Sequence, residues 1–221
     1  MDIKPIAYFH SPVNGKFGLP RQSGLAECLQ GEIVLEEEFR QEEALRGLEG
    51  FDYLWLIWGF HLNRDDAAQG KLTVRPPRLG GNQRIGVFAS RSPYRPNPLG
   101  LSSVKITRII HGEGIIRVLG ADLADNTPIY DIKPYVEYAD SHPGVRSGFT
   151  DDHEWKELDV RIECGRQNLS DEDIRALTAL LAQDPRPQYH HDPTRIYHMD
   201  FCGKDIKFTV AEDTVTVIEI S

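Results

Sequence analysis

The sequence predicts a mostly β fold in two units, and three observations support that prediction. Many stretches alternate apolar and polar residues, which is the pattern of half-buried strands. Turns that contain Gly, Asn or Asp separate these stretches. A single longer stretch, which starts at Ser170, combines a helix N-cap, an acidic first turn and apolar residues at helical spacing. We therefore expect a large strand-rich unit followed by a small α+β unit.

The first unit begins with short elements. Residues 3–10 and 31–35 are expected to be strands, and residues 41–48 a short helical turn. Residues 53–61, YLWLIWGFH, are aromatic and almost continuously apolar, which favours a buried strand. Residues 62–82 contain pairs of Pro and Gly, so they are expected to be mostly loop, with a short strand near residue 73.

A hairpin is expected further along the first unit. Residues 85–89 lead into a proline-rich segment, and residues 101–110 alternate clearly between apolar and polar. The turn HGEG at residues 111–114 lets residues 115–122 pair back on that strand. Residues 129–132 form another short strand. The glycines of this turn are not a dinucleotide fingerprint, because a strand and not a helix follows them.

The second unit starts after a polar linker. We expect a domain over residues 1–140, a linker over 141–157 and a small domain over 158–221. The small domain is predicted to hold a strand near its start, one helix that ends at the DPRP sequence after residue 183, and a meander. The three strands of this meander are expected at residues 195–201, 205–210 and 215–220.

Charge and composition indicate the kinds of partner and the cell compartment that this chain can have. The chain of 221 residues has a net charge of −9, yet residues 64–117 carry 10 basic and 3 acidic side chains. This basic segment is either a patch for phosphates or nucleic acid, or ordinary solvated surface. The three cysteines are far apart and no membrane-length apolar run or secretory signal is visible, so a cytoplasmic protein is expected. Histidine and cysteine spacing predicts no metal site.

Residues 90–102, SRSPYRPNPLGLS, stand out as the candidate binding loop. Each of its three prolines fixes its own backbone and holds the preceding residue in an extended geometry. Arg91 and Arg95 can bind a carboxylate or phosphate through two parallel hydrogen bonds, and Asn97 can both donate and accept. Gly100 allows close approach of a ligand or of neighbouring backbone. The alternative is a rigid crossover between strands that merely exposes its arginines.

A second polar cluster follows at residues 121–135, ADLADNTPIYDIKPY. Asp122 and Asp125 flank a turn, where carboxylates could bind ribose hydroxyls or a ligand ammonium. Asp131 and Lys133 share one face of a strand. A solvated turn with a surface ion pair is the alternative interpretation.

Four motifs together resemble the TrmO (TsaA-like) family. They are LPRQ at residues 19–22, FH at 60–61, RSPYRPNPLGLS at 91–102 and DIKPY at 131–135. The resemblance covers residues 3–140 strongly and the rest of the chain in general layout. It implies an antiparallel β-barrel and a homodimer whose donor site lies near the subunit junction. The activity it implies is methyl transfer from S-adenosylmethionine to the exocyclic amine of threonylcarbamoyl-adenosine at tRNA position 37, next to the anticodon.

The resemblance also assigns residues to the donor pocket. These are Pro20, Arg21, Gln22, His61, Leu62, Arg91, Leu101, Asp122, Leu123, Ala124 and Asp125. For the acceptor amine, which must lose a proton, the sequence offers Asp131, His61 and Tyr135 as candidate proton acceptors and does not choose between them. The candidate tRNA-binding residues are Arg95, Asn97, Arg75, Arg78 and Arg84.

Two other functions remain open at this stage. One is a tRNA- or nucleotide-binding module without catalysis, in which the arginine loop binds phosphate. The other is a hydrolase of a phosphorylated small molecule, with Arg91 and Arg95 as the phosphate clamp and Asp122 or Asp131 as the base.

Overall fold

The first unit of the molecule is a closed barrel. The structure, a computed structural model, describes residues 2–63, 72–76, 83–152, 156–187, 190 and 192–221. The barrel strands are β1 (Ala7–His10), β2 (Gln30–Leu35), β3 (Tyr53–Gly59), β6 (Leu99–Ile110), β7 (Ile115–Leu119) and β8 (Thr127–Pro134). They follow the order β1-β2-β7-β6-β3-β8 around the barrel, and every neighbouring pair is antiparallel. The predicted antiparallel barrel is therefore confirmed.

Strand β3 shows how alternation builds the barrel core. Leu54, Leu56 and Trp58 point inward and are at most 6% exposed. Tyr53 lies on the outer face and is 42% exposed. The sequence predicted a strand buried along its whole length to residue 61, whereas the strand is half-exposed and ends at Gly59. The difference arises because an antiparallel barrel strand needs only one apolar face, and aromatic residues also populate the other.

A short two-stranded ribbon and two single-turn helices lie outside the barrel strands. Strands β4 (Thr73–Val74) and β5 (Ile85–Gly86) pair as a two-stranded antiparallel ribbon. Helices α1 (Glu42–Leu45) and α2 (Glu137–Asp140) are single turns. The predicted loop over residues 62–82 lies partly outside the described residues, and its predicted short strand corresponds to β4.

The second unit is a four-stranded sheet covered by one helix. Its strands are β9 (Asp159–Ile162), β10 (Tyr197–Phe201), β11 (Lys204–Ala211) and β12 (Thr214–Ile220), in the order β10-β11-β12-β9. The predicted meander is present, and β9 joins it in parallel alongside β12. The sequence predicted the strand but not this pairing, because the two strands of a parallel pair lie far apart in the chain and their alternation does not specify a partner.

Helix α3 (Asp171–Ala182) begins at a complete capping box. The Ser170 hydroxyl accepts a hydrogen bond from the Asp173 N–H, and the Asp173 carboxylate accepts one from the Ser170 N–H. Leu177, Leu180 and Leu181 are at most 1% exposed and pack into the core of the second unit. This arrangement matches the predicted helix start and apolar spacing.

The segment between β1 and β2, residues 11–29, leaves the barrel and enters the core of the second unit. Phe17 stacks on the rings of Tyr197 and Phe208, with centroids 6.3 and 6.2 Å apart. Buried apolar side chains of the segment in this core are Val13, Ala26 and Leu29. The two units are thus joined by a core to which both contribute, while the domain boundaries at residues 140 and 158 stay a prediction.

Candidate functional site

The proline-rich loop is fixed by hydrogen bonds as well as by its prolines. The Ser92 N–H donates to Ser90 Oγ at 3.4 Å, and the Tyr94 N–H donates to Ser92 Oγ at 3.2 Å. The half-buried Arg95 donates from Nη1 to the Ser90 carbonyl oxygen at 3.1 Å. Part of the Arg95 guanidinium therefore serves the loop itself.

Arg91 extends from this loop to the segment that contains the LPRQ motif. Its Nη1 donates to Gln22 Oε1 at 2.5 Å, and Gln22 Nε2 donates to the Arg21 carbonyl oxygen at 2.6 Å. Arg21 donates from Nη2 to the main-chain oxygen of Asp184, which follows helix α3, at 3.2 Å. Pro20 is buried. Two motifs that are 69 residues apart in sequence thus meet in space.

Asp122 ends a short hydrogen-bond chain and lies within the electrostatic influence of Arg91. The Trp58 indole N–H donates to Ser102 Oγ at 2.9 Å, and the Ser102 hydroxyl donates to Asp122 Oδ1 at 2.5 Å. Burial raises the pKa of Asp122 above its ordinary value, although the Ser102 hydrogen bond, the Arg91 charge and the Ser23 N–H act in the opposite direction. The carboxylate is therefore poorly solvated and only partly compensated.

The other predicted pocket residues near Asp122 differ in how far they are exposed to solvent. Leu123 and Ala124 are at most 4% exposed, so neither presents its side chain to a ligand in this structure. Asp125 accepts a hydrogen bond from the Ser11 N–H at 3.0 Å, which ties this turn to the end of β1. Leu101 is 54% exposed on the outer face of β6.

A cleft of about 420 Å³ contains His61 and Asn97. His61 Nδ1 lies 3.3 Å from Thr127 Oγ1, and Tyr130 forms part of the same cleft. Leu62, next to His61, is 38% exposed. Other described residues of the cleft wall are Ile3, Gly59, Phe60, Pro98, Leu99 and Pro128.

The three candidate proton acceptors are spread along the β3–β8 pair. His61 lies two residues after the end of β3, whereas the Tyr135 N–H donates to the main-chain oxygen of Tyr53, the first residue of that strand. These ends are about 20 Å apart at the usual rise per strand residue. Asp131 lies between them and pairs with Lys133, with Oδ2 and Nζ 2.7 Å apart. One chain therefore does not bring the three groups together.

The candidate tRNA-binding arginines lie partly on the β4–β5 ribbon. Val74 pairs with Ile85, so Arg75 and Arg84 follow and precede this pair at the same end of the ribbon. Both side chains are exposed. Arg78 lies outside the described residues.

Three residues near the candidate site were not identified from sequence. They are Trp58, Ser102 and Tyr130, which were assigned to strands and given no role. Ser102 did carry a signal, because it occupies an inward position of an alternating strand two residues before Val104 and needs a partner there. The sequence carried no signal for Tyr130, because the position of this residue in the β3–β8 pair depends on a register shift between Ile57 and Trp58.

Within the described ranges, no group of three His, Cys, Asp or Glu side chains is placed to hold a metal ion. None of the described helices is long and apolar enough to cross a membrane.

A closed antiparallel barrel places the protein in the β-barrel class, distinct from the doubly wound class. Residues 8–141 match the model of the tRNA-methyltransferase O N-terminal domain, and residues 157–221 match that of the TrmO C-terminal domain. The chain therefore belongs to the TrmO family of tRNA methyltransferases.

Individual relatives agree with this assignment. The tRNA (adenine(37)-N6)-methyltransferase of Escherichia coli K12 is 41% identical over 196 residues, which cover 85% of this chain and 83% of that protein. A Pyrococcus abyssi protein named as a probable S-adenosyl-L-methionine-binding protein is 35% identical over 66% of this chain and 74% of its own. The crystal structure of TrmO from Pseudomonas aeruginosa superposes with a TM-score of 0.80 and 31% identity, covering 100% of this chain and 98% of that one.

These matches confirm three predictions made from sequence: the family, the enzyme class and the methyl donor. The chain is an S-adenosylmethionine-dependent methyltransferase of the TrmO family. The individual site residues stay predictions, and so does the homodimer.

Proposed function

We propose that this chain transfers a methyl group from S-adenosylmethionine to N6 of adenosine 37 in tRNA, and that the acceptor is the threonylcarbamoyl form of that adenosine. Both family domains and the name of the Escherichia coli relative support the reaction. The observation that carries the donor site is the hydrogen bond between Gln22 and Arg91, whose positive charge also acts on the Asp122 carboxylate.

The residues present fit the donor chemically. The amino-acid end of S-adenosylmethionine carries an ammonium and a carboxylate, and when bound the molecule supplies an activated methyl group on a sulfonium. Asp122 offers a poorly solvated carboxylate, which gains from a cationic ligand. Arg91 offers a guanidinium that suits a carboxylate, and Gln22 can donate or accept. We assign Asp122 to the ammonium and Arg91 to the carboxylate.

The remaining work of the protein is alignment and proton removal. Transfer forms a C–N bond as the C–S bond breaks in line, so the rate depends on positioning and on exclusion of water. The acceptor nitrogen also loses its proton. We assign the proton acceptor to His61, since it shares a cleft with Asn97 and Tyr130 that can enclose a base. Asp131 faces Lys133 outside this cleft.

The acceptor tRNA is assigned to the basic segment at residues 64–117. Arg75 and Arg84 lie at one end of the ribbon and Arg95 lies in the proline-rich loop, and their positive charges suit the phosphates of an RNA. A single-stranded anticodon loop presents a base that can be splayed out into a cleft. The proposal also includes a homodimer, as the resemblance implies, and a cytoplasmic location, as the cysteine pattern predicts.

Donor binding tests the site directly. We expect Arg91→Ala to weaken S-adenosylmethionine binding about 10- to 100-fold in titration calorimetry, because a charged hydrogen-bond pair is lost. The matched control is Arg108→Ala, an exposed arginine near the other end of β6. Equal affinities of the two variants would contradict the assigned role of Arg91, and failure of the wild type to bind the donor would contradict the site as a whole.

A further inference from the structure

We propose that Ser102 and Trp58 are positioning residues that orient the Asp122 carboxylate toward the methyl donor. This inference rests on the proposed function, because it takes Asp122 as the group that receives the donor ammonium. Neither side chain needs to touch the donor. Each acts through the hydrogen bond that it makes to the next residue in the chain from Trp58 to Ser102 to Asp122.

The direction of both hydrogen bonds follows from the chemistry of the side chains. An indole N–H can only donate, so Ser102 Oγ must accept from Trp58 at 2.9 Å. The single hydroxyl hydrogen of Ser102 then points to Asp122 Oδ1. A carboxylate has about four acceptor positions, so the Ser102 hydroxyl and the Ser23 N–H leave room for a ligand ammonium. These hydrogen bonds thus fix the orientation of one Asp122 oxygen and leave other acceptor positions of the carboxylate open for a ligand.

The burial of Trp58 and Ser102 indicates that their hydrogen bonds have a role beyond folding. Ser102 is 0% exposed and Trp58 is 6% exposed. An alanine at position 102 would remove a buried hydroxyl whose burial costs free energy unless it is bonded. An apolar residue at position 102 would pack in the barrel equally well, as Val104 does two positions further along the strand. A serine is useful there because it connects Trp58 to Asp122.

The glycine of the proline-rich motif supports the same arrangement. Gly100 lies directly opposite Trp58 in the β3–β6 pair. A Cβ atom added at Gly100 would lie 2.2 Å from Trp58 Cε2, so a glycine is needed for the indole to occupy its position. The motif therefore supplies both the space for Trp58 and the hydroxyl of Ser102 that the indole reaches.

Serine variants of strand β6 test the proposal. Ser102→Ala should weaken S-adenosylmethionine binding about tenfold in titration calorimetry, as expected for the loss of a hydrogen bond to a charged group. Ser102→Thr, which keeps the hydroxyl, should bind more tightly than Ser102→Ala. Ser103→Ala is the matched control, because Ser103 is the next residue on the same strand and faces the other side of the sheet. It should bind as the wild type does.

The pH dependence of donor affinity separates positioning from a general structural effect. The groups that face Asp122 are the Arg91 guanidinium, the Ser102 hydroxyl and the main-chain N–H groups of Ser23 and Asp122 itself. Ser102 lowers the pKa of the carboxyl, so its removal should raise that pKa further. The fall in affinity on acidification should then begin at a higher pH in Ser102→Ala than in Ser103→Ala.

A double-mutant cycle completes the test. If Ser102 acts through Asp122, its loss should have little further effect on affinity in the Asp122→Asn background. Should Ser102→Ala fail to fold, Trp58→Phe keeps an aromatic ring, removes the indole N–H and should weaken binding as well. Wild-type affinity and pH profile in a folded Ser102→Ala variant, or fully additive losses in the cycle, would overturn the inference. A wild type that does not bind the donor would overturn the proposed function itself.

Discussion

At the scale of single residues, Asp122 holds a poorly solvated carboxylate in the connection between β7 and β8. Burial raises its pKa, and the Ser102 hydroxyl and the Arg91 charge only partly compensate. A neutral side chain would cost less free energy in this position. The ionised residue is therefore expected to lower the stability of the free protein, a cost that is repaid when a cationic ligand binds.

The stability of an Asp122→Asn variant should reveal this cost. The folded pKa of Asp122 lies above its unfolded value, so its contribution to stability is complete at low pH and is lost as the pH rises through the folded pKa. We expect Asp122→Asn to gain stability relative to the wild type at about pH 8, and the gain to shrink toward about pH 4. Urea unfolding over this range measures it, and a difference that does not change with pH would contradict the assignment.

The sequence predicted the charged residues of the site better than their supporting partners. Arg91, Gln22 and Asp122 were all selected from motifs, and the structure brings them together. Ser102 and Trp58 were not selected, because their role depends on which residues face each other across β3 and β6. That register is a property of strand pairing, and alternation along one strand does not contain it.

At the scale of elements, the segment between β1 and β2 connects the site to the second unit. Gln22 reaches Arg91, while Phe17 and Gly18 lie against the core of the second unit. Gly18 has a φ of +94° and a Cβ placed there would lie 2.1 Å from Met199 Sδ. Met199 is only 2% exposed and has little room to move. The loop before Gln22 therefore depends on close packing against β10.

Two glycine variants isolate this contact. Gly24 has a φ of +84° and open space around its Cβ position, so Gly24→Ala carries the backbone strain without the clash. We expect Gly18→Ala to reduce the free energy of unfolding by about 1–3 kcal/mol more than Gly24→Ala, as overpacking typically does. Urea unfolding of both variants measures the difference. Equal losses, or an extra loss that persists in the Met199→Ala background, would contradict the contact.

Elements with local signals were the easiest to predict. Helix α3 carries its capping box within four residues, and the turns after β6, β10 and β11 carry Gly or Asp in the sequence. The parallel pairing of β9 with β12 was not predictable, because the two strands are more than 50 residues apart and share no local signal. The packing of residues 11–29 into the second unit escaped prediction for the same reason.

At the scale of the whole molecule, the barrel has its own core, and residues 11–29 between its first two strands contribute to the separate core of the small α+β unit. The mostly β class followed from alternation, whereas closure of the barrel came from family resemblance, since alternation does not distinguish a barrel from an open sheet. The candidate proton acceptors came from two motifs without a choice between them, and the fold spreads His61, Asp131 and Tyr135 along the β3–β8 pair. Distance along a strand, not motif membership, decides which of them can share a cleft.

The central claim concerns the reaction, and methyl transfer to tRNA tests it most directly. Radiolabelled S-adenosylmethionine is incubated with tRNA from cells that make the threonylcarbamoyl modification and from cells that lack it, using the wild type and Arg91→Ala. We predict label on the modified tRNA alone, with the signal lost or strongly reduced in the variant. Absence of label from both tRNAs with the folded, donor-bound wild type would contradict the account.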